Sequence, residues 1–128
     1  MEGVYAPGSG VRGISAAASI ASLILRDYRR GWTYDRDGSV IPMTWDKARR
    51  RLIYLYALAI KHGARDLEAI RDLAVRAAAT GALPPEYSRY VRLAGPQARK
   101  VAVELGLPST AAVAEVKGYG GKAKAAYV

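Results

Sequence analysis

The sequence predicts an all-α fold, a small helical bundle of about five helices with an extended N-terminal arm and a Gly/Lys-rich C-terminal tail. Three observations predict it. Apolar residues recur at helical spacing in successive windows. Glycines at 31, 63, 81, 95 and 106 punctuate those windows where helices stop. Capping residues or prolines precede several of them. At 128 residues and 51% hydrophobic, the chain makes one domain over 14–117, with an arm at 1–13 and a tail at 118–128.

Residues 1–13 contain four Gly and one Pro without periodicity, so they read as an arm. Ser15 caps a first helix over about 16–30, which ends in Arg29, Arg30 and Gly31, a basic last turn and a glycine stop. The Asp37-Gly38 pair, between Trp32–Tyr34 and Ser39–Ile41, fits a short β-hairpin or an ordered loop near 32–41. Thr44 caps the second and longest helix, about 45–62. A third helix, about 66–80, has Asp66 and Glu68 in its first turn, where the helix dipole favours acids. Pro85 opens a helix over 85–94, which Gly95 closes. Pro96 opens one over 96–105, and Pro108-Ser109 leads a last short one over 110–117.

Composition narrows the chemistry. Without Cys there is no disulfide, thiolate nucleophile or cysteine metal site, and a single His makes a transition-metal site a poor fit. Asp35 and Asp37 belong to a turn, His62 sits at a helix C-terminus, and the remaining acids are scattered, so no carboxylate pair or nucleophile–base pair emerges. No enzyme and no cofactor are expected. The longest apolar stretch, Ile14–Leu25, is broken by serines and is too short to span a bilayer, and it lacks the lead-in of a secretory signal, which points to an intracellular protein. Absent Asn, one Gln and abundant Arg fit a hot-environment protein or GC-rich codon usage. Nine Tyr and no Phe suit half-wet interfaces better than a sealed core.

The charge is the functional clue. Residues 44–65 carry +5 of the net +9, against one acid, Asp46. Uncompensated cations persist where a polyanion neutralises them. On a helical wheel the second helix places Lys47, Arg50, Arg51, Tyr54 and Lys61 on one face, with Leu58 among them, opposite Trp45, Leu52, Ile53, Leu55, Tyr56, Ala59 and Ile60. Arg49 falls among the apolar positions, so it must snorkel, pair with an acid or reach a phosphate. The first helix aligns Ser15, Ser19, Ser22, Arg26, Arg29 and Arg30, a face suited either to phosphate oxygens or to close helix packing. Arg89, Arg92, Arg99, Lys100, Lys122 and Lys124 add cations over the C-terminal half. This dispersed Arg, Lys, Ser and Tyr, with almost no Asn or Gln to read adenine, suits phosphate contact without sequence choice.

The Gly-Pro arm at 1–13, the Ser/Arg-faced helix at 16–30, the basic helix at 45–62 and the Tyr-bearing C-terminal half together resemble the major coat proteins of rod-shaped and filamentous double-stranded DNA viruses of hyperthermophilic archaea. The resemblance covers most of the chain as a pattern and rests on no single motif; the segment 32–41 departs from an all-helical coat. It implies double-stranded DNA, in the A-form, as partner, and a dimer with itself or a paralogous coat subunit, stacked into a helical sheath. It also implies residence in a virion assembled in the host cytoplasm; without it, the expected location is cytoplasmic. A helix-turn-helix regulator built from 66–80, 85–94 and 96–105, and an RNA- or ribosome-associated protein, are the rival readings.

Overall fold

The computed structural model describes residues 13–35 and 37–107. Most of the arm, the helix expected at 110–117 and the tail with Lys122 and Lys124 lie outside the described residues. Within them the chain is mostly helical, with one two-stranded antiparallel sheet.

Helix α1 (Ile14–Arg30) is the axis of the packing, in contact with every other helix. Its run of small residues explains why: Ala17, Ala18 and Ala21 are fully buried, as is Ile20, and alanines let neighbouring helices approach from several sides. Ser15 does not cap it. The helix begins one residue earlier, after Gly13, and the Ile14 N–H donates to Asp66 Oδ2, 3.0 Å away, at the start of another helix. At the far end Gly31 takes φ 93°, a left-handed conformation that glycine reaches without strain, and its N–H returns to the carbonyls of Asp27 and Tyr28.

The hairpin forms as strands β1 (Trp32–Tyr34) and β2 (Val40–Pro42), with Thr33 opposite Ile41. Its turn is closed by Asp35 N–H to Ser39 O at 2.8 Å, while Asp37 accepts the Ser39 N–H. Helix α2 (Trp45–Lys61) starts where expected, with the Thr44 hydroxyl accepting the Lys47 N–H at 3.1 Å. Helix α3 (Leu67–Thr80) follows after a short turn and makes its most extensive contact with α2. Together with α1 these two enclose the main core, in which Leu52, Leu55, Ile70 and Leu73 are fully buried. Helix α4 (Gly95–Leu105) packs chiefly on α1 and closes the core with Ala102, Leu105 and Leu107.

The helix expected over 85–94 does not form as such. Pro85–Tyr90 is a 3₁₀ helix without a buried residue, and the chain is irregular until α4 starts at Gly95, the residue expected to close the preceding helix. The cause is a side-chain acceptor on another helix that takes the backbone donors. The Arg92 and Leu93 N–H groups, which an α-helix would direct to carbonyls four residues back, both donate to the Ser19 hydroxyl at 3.1 Å. Ser15 adds a bond to the Tyr90 carbonyl at 2.9 Å. The serine row of α1 is therefore a docking strip for the strap 84–94. Ser19→Ala leaves two half-buried N–H groups without their acceptor and should cost about 1–3 kcal/mol in urea unfolding; an unchanged midpoint would show that the strap holds by other contacts.

Candidate nucleic-acid interface

The expected interface residues separate into three sets by position. The first set lies inside the protein. Ser19 is buried, its hydroxyl bonded to the strap and to the Ser15 carbonyl. Arg51 and Arg99, only 8% and 5% exposed, converge on the buried carboxylate of Asp27 and the Thr33 hydroxyl. Arg99 grips Asp27 through both Nη atoms, at 3.2 and 3.3 Å, with its guanidinium 5.5 Å from the Tyr34 ring centre. Thr33 donates to Asp27 at 2.9 Å and accepts from Arg51 at 3.1 Å. Arg30 joins the group from the surface, 3.0 Å from Asp27 on one side and stacked on Trp32 at 3.5 Å on the other, and stays exposed. Partial burial pulls the Arg30 pKa down, and Asp27 counters that effect. These arginines join α1, β1, α2 and α4, and Ser19, Arg51 and Arg99 offer no surface to a phosphate chain.

This cluster corrects the wheel of α2. Because Arg51 turns inward to Thr33, the buried face runs through Ala48, Arg51, Leu52, Leu55, Leu58 and Ala59. Leu58, expected beside the cations, is core; Ile53 and Ile60, expected in the core, face outward. Arg49 faces outward too, 3.7 Å from Asp46, which Arg50 approaches to 2.8 Å.

The second set is the outer side of α2: Lys47, Arg49, Arg50, Tyr54 and Lys61, with Lys47 half-buried and the rest exposed. The third is spread over α1, the strap and α4, which meet along a seam where Arg26 and Arg92 stand. Arg26, Arg29, Arg89, Arg92 and Lys100 are exposed, and Ser22 is half-buried. Arg26 reaches across to α4: a Cβ at Gly95 would stand 2.7 Å from its Nη2, so glycine leaves the guanidinium its place. Arg92 is fixed by its own N–H on Ser19, and Arg89 lies 5.0 Å from the Tyr90 ring centre while donating to its hydroxyl. Arg26, Arg29, Arg92 and Lys100 form no ion pair with a described acid.

The acids explain that imbalance. Asp27 is taken by arginines in the interior, Asp46 by Arg49 and Arg50, and Asp66 by the Ile14 amide. Asp72 and Glu86 are both held by Arg76, and the Tyr87 hydroxyl donates to Asp72 at 2.7 Å, which ties the strap to α3. The Tyr87 bond and then Arg76 hold the Asp72 carboxyl below the usual range, and Arg76 does the same for Glu86. Burial and the Asp72 bond push the Tyr87 hydroxyl up to about 12.

His62 is the C-cap residue of α2. Among the described residues no three His, Cys, Asp or Glu side chains gather closely enough to hold a metal ion. Nor is any described helix long and apolar enough to cross a membrane. Two participants in the interior cluster, Asp27 and Thr33, carried no sequence signal beyond a charged position on an otherwise apolar helix and a Thr in a strand. Compared with protein-family models, curated proteins and solved structures, the chain matches none.

Asp27→Asn removes the carboxylate that Arg99 and Arg30 grip inside the fold, and a loss of about 3–5 kcal/mol by urea unfolding is expected; a loss under about 1 kcal/mol would mean the cluster is replaceable. The strap contacts have a defined acid response. Asp72 and Glu86 have lowered folded pKa values, so their contribution is complete above the unfolded carboxylate range, about pH 4. It fades as pH falls through the folded values. Protection factors of the Tyr87 and Val91 amides, corrected for the intrinsic pH dependence of exchange, should therefore fall below about pH 4 ahead of those in α1, and Tyr87→Phe should flatten that response.

Proposed function

We propose that this is a structural DNA-coating protein, which binds double-stranded DNA without sequence choice through phosphate contacts and polymerises along it with itself or a paralogous subunit. The observation that carries the reading is the disposal of the acids. Among the described acids, Asp27 is engaged in the interior, Asp46 and Asp66 at helix starts, and Asp72 and Glu86 by Arg76. The cations Arg26, Arg29, Arg92 and Lys100 of α1, the strap and α4 stay exposed without an ion pair to a described acid. A row of unpaired cations held on rigid elements is what a phosphate backbone neutralises, and counterion release then supplies affinity that does not depend on base sequence.

The seam suits this role better than α2. Among the described residues no large hydrophobic side chain is exposed there, and the backbone of the strap is pinned to α1, so Arg26 and Arg92 are displayed from fixed positions. On α2 the cations Lys47, Arg50 and Lys61 alternate with exposed isoleucines, which phosphates cannot cover. The likeness to archaeal viral coats extends the reading to a helical virion sheath on A-form DNA. Regulation by a helix-turn-helix over 66–80, 85–94 and 96–105 is the poorer fit, since the middle segment is a short 3₁₀ helix.

Arg26→Gln with Arg92→Gln should weaken binding equally across unrelated duplex sequences and reduce the slope of log affinity against log salt by about 2. Negative-stain images of the wild-type protein with random-sequence duplex should show filaments of uniform width that dissolve as salt rises. Discrete complexes on one preferred sequence would replace this reading with a regulator.

A further inference from the structure

Among the described residues, three of the four large hydrophobic side chains left exposed are on one helix, α2: Ile53, Tyr54 and Ile60, with Ile53 and Ile60 at 43% and 51% exposure. At 100° per residue, Ile53, Ala57 and Ile60 fall in one outward row, directly opposite the buried row of Ala48 and Leu55. Cations border that row on both sides. Arg49 lies on one flank and Arg50 and Lys61 on the other, and all three are exposed. Asp46 is the only acid on the helix, and it already lies between Arg49 and Arg50.

DNA matches only half of this face. Phosphates would satisfy the guanidinium and ammonium groups but leave Ile53 and Ile60 wet. A partner must supply apolar depth along the middle and negative charge along both edges. We infer that the outward face of α2 docks on the surface of an anionic lipid bilayer. Charge complementarity argues for an acidic partner on both flanks. Arrangement argues for lipid over an acidic protein: the isoleucines and their flanking cations are all presented by one helix, and a bilayer admits such a helix as it stands, isoleucines among the upper acyl chains and long basic side chains reaching back to headgroups. Contact of this kind is peripheral, in keeping with the lack of a bilayer-crossing helix among the described residues. The inference does not depend on the seam reading, since it uses a different helix and different side chains.

The test is co-sedimentation of the full chain with phosphatidylglycerol-containing vesicles and with neutral phosphatidylcholine vesicles, alongside duplex DNA binding. The isoleucines are exposed, so Ile53→Gln with Ile60→Gln should fold normally and keeps every charge. Expected are binding to anionic vesicles only, a fall of about tenfold or more in partitioning for the isoleucine variant, and unchanged DNA affinity. Three outcomes would overturn the inference: no wild-type binding to anionic vesicles, equal partitioning of the variant, or a loss of DNA affinity matching the loss of vesicle binding. If the isoleucine variant instead abolishes self-association in sedimentation velocity while vesicles bind nothing, the face belongs to a second copy of the chain. Failure of the seam variant with success here would leave a lipid-binding protein that does not coat DNA.

Discussion

A single buried carboxylate organises this fold. Asp27 lies near the end of the central helix, almost wholly removed from water, and accepts from Thr33 on the hairpin and from Arg99 on α4. Arg51 on α2 joins through Thr33. Four elements thus share one charge. Desolvating a carboxylate is costly, and the cost is offset only if its lone pairs are filled and the opposing charges stand at hydrogen-bond distance. Meeting that condition fixes the roll of α2, the seat of α4 and the position of the hairpin together. An apolar contact there would allow sliding; a bidentate arginine does not.

The second constraint is the narrow girth of α1. Alanines and serines along it bring neighbours close enough for polar side chains to meet main chain directly, as Ser15 and Ser19 do with the strap. The strap needs those bonds because it buries no side chain of its own in the 3₁₀ turn. Its other anchor is electrostatic, through Arg76, Glu86, Asp72 and Tyr87 on an exposed edge. Exposed pairs of this kind contribute little in isolation. Their value lies in orienting a segment whose backbone is already secured, and in aiming Arg89 and Arg92 outward.

Local features were legible in the sequence. The Thr44 cap, the glycine stops after α1, α3 and α4, and the Asp37-Gly38 turn each depend on a few neighbouring residues, and each is where its chemistry requires. What the sequence concealed is long-range. Arg99 and Asp27 are 72 positions apart, and so are separated by most of the domain. Without the buried Thr33 hydroxyl that receives it, Arg51 reads as a surface cation and drags Leu58 outward with it on the wheel, while Ile53 and Ile60 are drawn inward. One misplaced arginine rotates the whole helix. Ser19 shows the same ambiguity: a row of small hydroxyl residues fits phosphate or a packed strap equally, and only the position of the Arg92 and Leu93 amides decides between them. The candidate interface was thus legible in its charge and not in its address.

Interior and surface are linked through the charge balance. The buried cluster takes in one acid and two arginines, so the surface still carries most of the chain's +9. Self-repulsion among the remaining surface cations opposes compactness, and the fold answers with close packing around the alanines of α1 and with arginine, which stays charged and forks to two acceptors, at the buried Asp27–Thr33 junction. Such an arrangement is most stable when an external anion joins it, because a ligand that binds only the folded state adds its binding free energy to folding. The two exposed cation sets differ in what accompanies them, polar main chain on the seam and isoleucine on α2. Anions of different character therefore suit the two sets, and if both proposals hold the protein would lie between two unlike anionic partners.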